Sequence, residues 1–112
     1  MTDAAPFSWL TVPDLVDLTG QTPGRIRKLI DERYLLAARI DGVLKVPSVF
    51  LRDDAPLPEL HGTAVLLHDV GFDDAEALDW LISEEESLGT TPIAALLAGR
   101  KAEVRRVAQA LL

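Results

Sequence analysis

Apolar and polar positions in the first third of the chain predict two short helices joined by a tight turn. Thr11 is suited to cap the first helix, and Gly20 is suited to end it, because glycine readily takes the left-handed backbone of a helix terminus. Thr22 comes directly before a proline and is suited to cap the second helix. That helix has an apolar face at helical spacing, made of Ile26, Leu29 and Ile30.

A β-hairpin and a connector are predicted next. Leu35–Ile40 and Val43–Val46 are rich in branched residues, and Asp41-Gly42 between them is the strongest short signal of a hairpin turn. Ser48–Leu51 is predicted as a short helical turn. Asp53–Pro58 is predicted as a connector because of its aspartate and proline content.

The second half of the chain has the pattern of three or four helices. They are expected at Glu59–Val70, from Asp73 or Asp74 to about Ser83, from Thr91 to near Gly99, and at Arg100–Leu112. The last helix has an apolar stripe made of Val104, Val107, Ala108 and Leu111. This stripe either closes the protein's own core or pairs with a second copy in a homodimer. Neither half has much apolar surface to bury alone, so we expect residues 8–52 and 59–112 to be two small domains packed on each other.

Bulk composition indicates an ordinary globular protein. The chain has 112 residues, of which 48% are apolar and 26% charged, and it has no cysteine. Disulfides and thiolate metal sites are therefore excluded, which fits a reducing cytoplasm. The first residues lack the pattern of a signal peptide, and no apolar run approaches the ~18 residues of a membrane span. We expect a cytoplasmic protein without a membrane partner.

The charged residues are unevenly distributed along the chain, and this indicates a class of ligand. The net charge is −7, yet residues 21–52 contain seven basic residues against three acidic ones. Residues 53–99 contain eleven acidic residues and no lysine or arginine. Nucleic acid attracts cations through its phosphates, and an acidic protein can bind it only when its cations are concentrated on one surface.

The predicted second helix presents short and basic residues on the side opposite its apolar face. A helix of this kind buries one face against the first helix and offers the other to the major groove of DNA. Asp31 and Glu32 at its far end repel phosphate, so we expect only the N-terminal half to face DNA. The candidate DNA-binding residues of this helix are Thr22, Gly24, Arg25, Arg27 and Lys28.

The string TVPDLVDLTGQTPGRIRKLIDERYLLAAR, followed by DG and VPSVFL, resembles the winged helix-turn-helix of excisionase and MerR-type proteins. This resemblance covers about residues 9–52. Taken whole, the chain is similar to a small actinobacterial family of winged-helix DNA-binding proteins with a C-terminal helical domain. Carried over by position, Arg39 and Lys45 flank the hairpin tip and reach the DNA backbone or minor groove.

The resemblance implies a fold and a function. The expected fold is mainly α with a small β-hairpin wing, that is, a winged helix-turn-helix followed by a C-terminal helical bundle packed on it. The expected function is binding of double-stranded DNA, as a transcriptional regulator or a nucleoid-associated factor. A homodimer is also expected at least on DNA, because one recognition helix and one wing cover a small site.

Two other interpretations stay open. The basic helix is also typical of a solvated face neutralised by (i, i+4) pairs such as Arg27–Asp31. The segment WLISEEESLGTTPIAALLAG resembles the toxin-binding domain of ParS-like antitoxins, which implies an adaptor with a protein partner bound through the C-terminal helices. In the structural alternative, Trp80 anchors the core and Leu88-Gly89 connects two helices.

Enzymatic chemistry is not indicated. His61 and His68 share a helix face, but two turns separate them by ~10.5 Å, too far to hold one metal ion directly. There is no glycine-rich phosphate loop. We therefore predict no catalytic residue, no metal and no cofactor.

Overall fold

A computed structural model describes residues 7–111. The N-terminal half contains β1 (Trp9–Thr11), α1 (Val12–Thr19), α2 (Pro23–Asp31), β2 (Ala38–Ile40), β3 (Val43–Pro47), a 3₁₀ turn (Ser48–Phe50), β4 (Leu51–Arg52) and β5 (Ala55–Pro56). The C-terminal half contains α3 (Pro58–Asp69), α4 (Asp74–Ile82), α5 (Pro92–Leu97) and α6 (Lys101–Gln109). The predicted class, mainly α with a small β-hairpin wing, is confirmed.

The predicted caps of α1 and α2 are present. Thr11 Oγ accepts the N–H of Asp14 at 3.2 Å, and the Asp14 carboxylate accepts the N–H of Thr11 at 2.9 Å, which makes a reciprocal capping box. Gly20 has φ 76° and donates its N–H to Val16, so it ends α1 as expected. Thr22 Oγ accepts the N–H of Arg25 at 3.1 Å and starts α2.

The wing is a three-stranded antiparallel sheet with β3 in the centre. β2 and β3 form the predicted hairpin, and its turn residues Asp41 and Gly42 have φ values of 53° and 80°. The strand predicted to start at Leu35 starts only at Ala38. Leu35 and Leu36 are both fully buried, and two consecutive residues of a one-sided strand point to opposite faces, so this stretch enters the core as a loop. Strand β1 was not predicted.

The expected connector at Asp53–Pro58 is partly a second hairpin. β4 pairs with β5, and the two turn residues Asp53 and Asp54 have φ values of 53° and 61°. Aspartate tolerates the left-handed region better than most residues, so it can stand where a hairpin turn usually has glycine.

Helix α6 is shorter than predicted. It ends at Gln109, and Leu111, assigned to the apolar stripe, is 39% exposed because it lies past the last helical turn. Val104 and Ala108 have no exposed surface and pack into the protein's own core. Val104 and Ala108 of the stripe therefore close the core of this molecule, and pairing with a second copy stays a prediction.

One apolar core joins the two halves. The N-terminal half contributes fully buried Leu15, Ile26, Leu35 and Phe50, and the C-terminal half contributes Leu60, Leu67, Leu81, Leu96 and Val104. The helical bundle is thus packed on the winged helix-turn-helix, as expected. Residues 8–52 and 59–112 stay a prediction for the domain bounds. Among the described residues, no helix is long and apolar enough to cross a membrane.

Candidate nucleic-acid interface

Helix α2 turns its apolar side inward and its basic side to solvent. Ile26 and Leu29 are buried against the core, whereas Gly24, Arg27 and Lys28 lie on the opposite, exposed side. This is the arrangement that the helical spacing predicts. The exposed side is continuous from the start of the helix to its middle.

Two residues at the start of α2 are small and open to solvent. Thr22 uses an oxygen lone pair to cap the helix, which leaves its hydroxyl hydrogen free to donate. Gly24 has no tertiary neighbour, because a Cβ placed there would lie more than 4 Å from the atoms that could obstruct it. The fold therefore does not require glycine at this position.

Arg27 and Arg39 come together in one open cleft between α2 and the wing. The cleft has a volume of about 330 Å³, and its other lining residues are Thr11, Val12, Pro13, Gly42, Val43 and Leu44. Arg39 Nη1 donates to the Gly42 carbonyl at 3.3 Å, which holds its guanidinium beside the hairpin turn. Two guanidinium groups with spare donors at one cleft form a surface suited to phosphate or a base edge.

Lys45 lies on the other face of the wing from Arg39. Arg39 pairs with Leu44 across the hairpin and Ala38 pairs with Lys45, so Arg39 and Lys45 point to opposite faces. The half-buried Lys45 is near Asp14. The Thr11 backbone and side-chain hydrogen bonds hold the pKa of Asp14 below its usual value, with a smaller contribution from the Lys45 charge. The structure therefore separates these two candidates.

Arg25 and Lys28 occupy the remaining parts of the helix surface. Arg25 borders a smaller cleft of about 130 Å³ that also includes Asp54 of the second hairpin turn. Lys28 Nζ lies 4.0 Å from a Glu32 carboxylate oxygen, with both side chains at least half exposed. An exposed pair of this length contributes little to stability. The Arg27–Asp31 pair is absent from the ion pairs found within residues 7–111.

Comparisons with known proteins match both halves of the chain. Residues 3–51 match the family model described as the wHTH domain of the DNA-binding protein Rv2175c, and residues 57–112 match the Rv2175c C-terminal domain of unknown function. The DNA-binding protein Rv2175c of Mycobacterium tuberculosis (strain ATCC 25618 / H37Rv) is 30% identical over 113 residues, which cover 89% of this chain and 77% of the relative. The chain belongs to the Rv2175c family.

The fold agrees with that of the mycobacterial relative. The NMR structure of Rv2175c superposes with a TM-score of 0.85 at 27% identity, over 99% of this chain and 85% of that one. The predicted membership of an actinobacterial winged helix-turn-helix family is therefore confirmed. The unmatched residues 52–56 between the two family models fall in the β4–β5 hairpin.

The C-terminal domain of the Rv2175c family holds the end of α2 here through residues that the site prediction omitted. Arg33, with φ 63°, donates to Asp74 at 3.1 Å and to His68 Nδ1 at 3.2 Å. His61 Nδ1 donates to the Arg33 carbonyl at 3.2 Å, and the His61 ring stacks on Tyr34 at 3.9 Å. In the sequence, the sign of this contact was that His61 and His68 lie on one face of α3. Through that face both histidines hold Arg33, which follows α2.

Proposed function

We propose that this protein binds double-stranded DNA with the N-terminal half of α2 in the major groove and the Arg39 side of the wing on the adjacent backbone. The observation that carries this proposal is the open cleft that brings Arg27 of α2 together with Arg39 of the wing. Membership of a family named for a DNA-binding protein supports the same function.

The chemistry of the surface fits a duplex. Arginine donates two parallel hydrogen bonds to a guanine edge or to a phosphate, and releasing counterions from the phosphates favours the complex. Gly24 lets the α2 backbone approach the groove without a side chain in between, and Thr22 adds a neutral donor beside it. Lys28 and Arg25 extend the same surface on either side.

The orientation of α2 on DNA follows from charge. Asp31 and Glu32 are exposed at its C-terminal end, where they repel phosphate. The contacts of Arg33 with Asp74, His68 and His61, which we call the Arg33 cluster, attach that end to the acidic C-terminal half. DNA is therefore expected at the start of α2, away from the helical bundle.

We also propose that the protein acts in the cytoplasm as a transcriptional regulator or a nucleoid-associated factor. A further part of the proposal is that it forms a homodimer on DNA. Val104 and Ala108 of the α6 stripe are buried in the protein's own core, so only half-buried Val107 and exposed Leu111 of the stripe are open to a second copy. Sedimentation with and without duplex tests the assembly, since a complex with one protein per duplex at every duplex length contradicts the dimer. We propose no catalytic role, which agrees with the name of the curated relative.

The interface is tested by salt titration of binding to random duplex DNA. Arg25→Ala/Arg27→Ala/Lys28→Ala is expected to abolish binding while circular dichroism shows the helix content unchanged. In the wing, Arg39→Gln is expected to lower the slope of log K against log salt by about one unit, as for one lost phosphate contact. Lys45→Gln is the matched control on the opposite face and is expected to retain the wild-type slope.

Three results contradict the proposal. Unchanged affinity of the triple variant at low salt means that α2 is not the interface. A loss with Lys45→Gln but none with Arg39→Gln places the contact on the other face of the wing. No binding by the wild type at low salt favours the antitoxin-like adaptor instead.

A further inference from the structure

Helix α6 presents a second group of cations outside the winged helix-turn-helix. Of the eleven basic residues in the chain, Lys28, Arg33, Arg52 and Arg100 form ion pairs within residues 7–111. The other seven fall into two groups. Arg25, Arg27, Arg39 and Lys45 belong to α2 and the wing, and Lys101, Arg105 and Arg106 belong to α6.

The α6 cations share the exposed side of one helix. Val104 and Ala108 are buried, whereas Lys101, Arg105 and Arg106 are exposed. Lys101 and Arg105 are one helical turn apart and therefore neighbours on the surface, with exposed Gln109 one turn further. The neighbouring acid on this helix is Glu103. Arg100 holds its carboxylate with contacts of 3.1 and 2.9 Å, and the Arg106 charge makes a smaller contribution to lowering the pKa of Glu103.

This surface lies on a different side of α3 from the α2 interface. His61 and His68 of α3 contact Arg33 at the end of α2, whereas Gly62 of α3 lies beside Arg105 of α6. Consecutive residues of a helix point about 100° apart, so the two contacts use different sides of α3. Exposed acids are also present on the elements that carry these contacts, namely Asp31 and Glu32 at the C-terminal end of α2 and Asp69 of α3. They repel phosphate and so disfavour one duplex that covers both basic surfaces.

The composition of the α6 surface favours a polyanion over a protein. Stable protein interfaces have an apolar centre surrounded by a polar rim. The exposed side of α6 has no large apolar residue and consists of Lys101, Ala102, Arg105, Arg106 and Gln109. A polyanion needs only cations and donors at this spacing, and its affinity comes from counterion release.

We propose that α6 is a second contact surface for the phosphate backbone of DNA, so that one molecule holds two duplex segments at once. This inference rests on the proposed function, in which α2 and the wing hold the first segment. Three cations give a weak contact on their own. When many molecules bind along one long duplex, their α6 surfaces together hold a second duplex more strongly than one α6 does. Once one α6 has bound the second duplex, the others meet it at high effective concentration.

The test is capture of a labelled duplex by a second, immobilised duplex at low salt in the presence of the full-length protein. The wild type is expected to capture the labelled duplex. Lys101→Gln/Arg105→Gln/Arg106→Gln is expected to bind the immobilised duplex as the wild type does and to lose capture by about tenfold or more. Circular dichroism verifies that α6 remains folded in the variant.

A charge-matched control separates a local contact from the field of the whole protein. Ala75→Glu/Ser83→Glu/Ser87→Glu changes the net charge by the same amount at exposed positions outside α6 and is expected to retain capture. Sedimentation of the wild type and the α6 variant shows whether capture follows a dimer. Loss of a dimer together with capture overturns the inference, because bridging then comes from two wings.

The remaining outcomes distinguish this inference from the proposed function. Binding of the immobilised duplex without wild-type capture overturns the α6 contact and leaves the proposed function standing. Equal capture by the α6 variant and the wild type has the same meaning. If the wild type binds neither duplex, the proposed function fails as well.

Discussion

Helices α2 and α6 are two versions of the same pattern. Each has nine residues, each buries two apolar residues in the shared core, and each exposes several cations. They start differently. The Thr22 hydroxyl caps α2, whereas α6 has no side-chain cap and begins with the Arg100–Glu103 ion pair.

The surroundings of the two helices also differ, and this difference is the reason why we propose groove contacts for α2 and only backbone contacts for α6. Next to α2 lies the wing, which adds Arg39 to the cleft of Arg27, and Gly24 leaves the backbone open. Helix α6 contains no glycine of its own. Cations alone give sequence-independent attraction, whereas close approach of the backbone allows base contacts.

The largest expected effect concerns the buried side, which is alike in α2 and α6. Ile26→Ala in α2 is expected to cost about 2–5 kcal/mol of unfolding free energy, and Val104→Ala in α6 about 2 kcal/mol. Both side chains belong to one core, so each variant is expected to shift a single denaturant transition. Two separate transitions, with each variant moving only one, contradict the shared core.

The next effect concerns how α2 starts. Thr22→Ala removes its cap and is expected to cost about 0.5–2 kcal/mol of unfolding free energy and to weaken DNA binding. Thr91→Ala is the matched control, because Thr91 caps α5 with the same contact to a backbone N–H, at 3.2 Å. It is expected to cost a similar amount while DNA affinity stays at the wild-type value. Equal loss of affinity in both variants means that stability alone explains the effect.

A smaller effect is expected at Gly24, where one substitution raises stability and lowers DNA affinity. Gly24→Ala is expected to stabilise the protein by at most about 0.5–1 kcal/mol, the value for a helix interior, because alanine is the better helix former and a Cβ here meets no neighbour. The added methyl group is expected to weaken DNA binding at the point of closest approach. Gly62→Ala in the middle of α3 is the control, and it is expected to stabilise the protein at least as much without a change in DNA affinity. Gly24→Ala with unchanged affinity contradicts a close approach of the α2 backbone.

The smallest effect depends on pH and belongs to α6. The hydrogen bonds from Arg100 hold the pKa of Glu103 below its usual value. A depressed pKa stabilises the fold above the usual range of glutamate, and this contribution is lost as the pH falls through the lowered value. Glu103→Gln is therefore expected to be less stable than the wild type near neutral pH and equal to it in strong acid. A constant difference in urea midpoint across this range contradicts the account.

Much of the fold was predictable because local signals and the final structure agree. Residue type and position alone predict the structural roles of Thr11, Gly20, Thr22 and the Asp41-Gly42 turn. Strand β1 was not predictable, because three residues next to a helix cap become a strand only when β3 pairs with them. The same holds for the Asp53-Asp54 turn, where aspartate stands in place of glycine.

The candidate site was predictable on α2 and less so on the wing. Helical spacing identified the exposed side of α2, but the faces of Arg39 and Lys45 depend on the hairpin register. The Arg33 cluster depends on contacts 28 to 41 residues apart in sequence. Such contacts leave no local pattern beyond the seven-residue spacing of two histidines.

The central claim is that the cleft between α2 and the wing is the primary DNA surface. The most direct measurement is the salt dependence of affinity for a trace amount of duplex of about 20 base pairs, roughly two helical turns. Arg27→Gln/Arg39→Gln is expected to lower the log–log slope by about two units, and Arg105→Gln/Arg106→Gln is expected to leave it unchanged. A lowered slope in the α6 variant with a wild-type slope in the cleft variant would contradict the account.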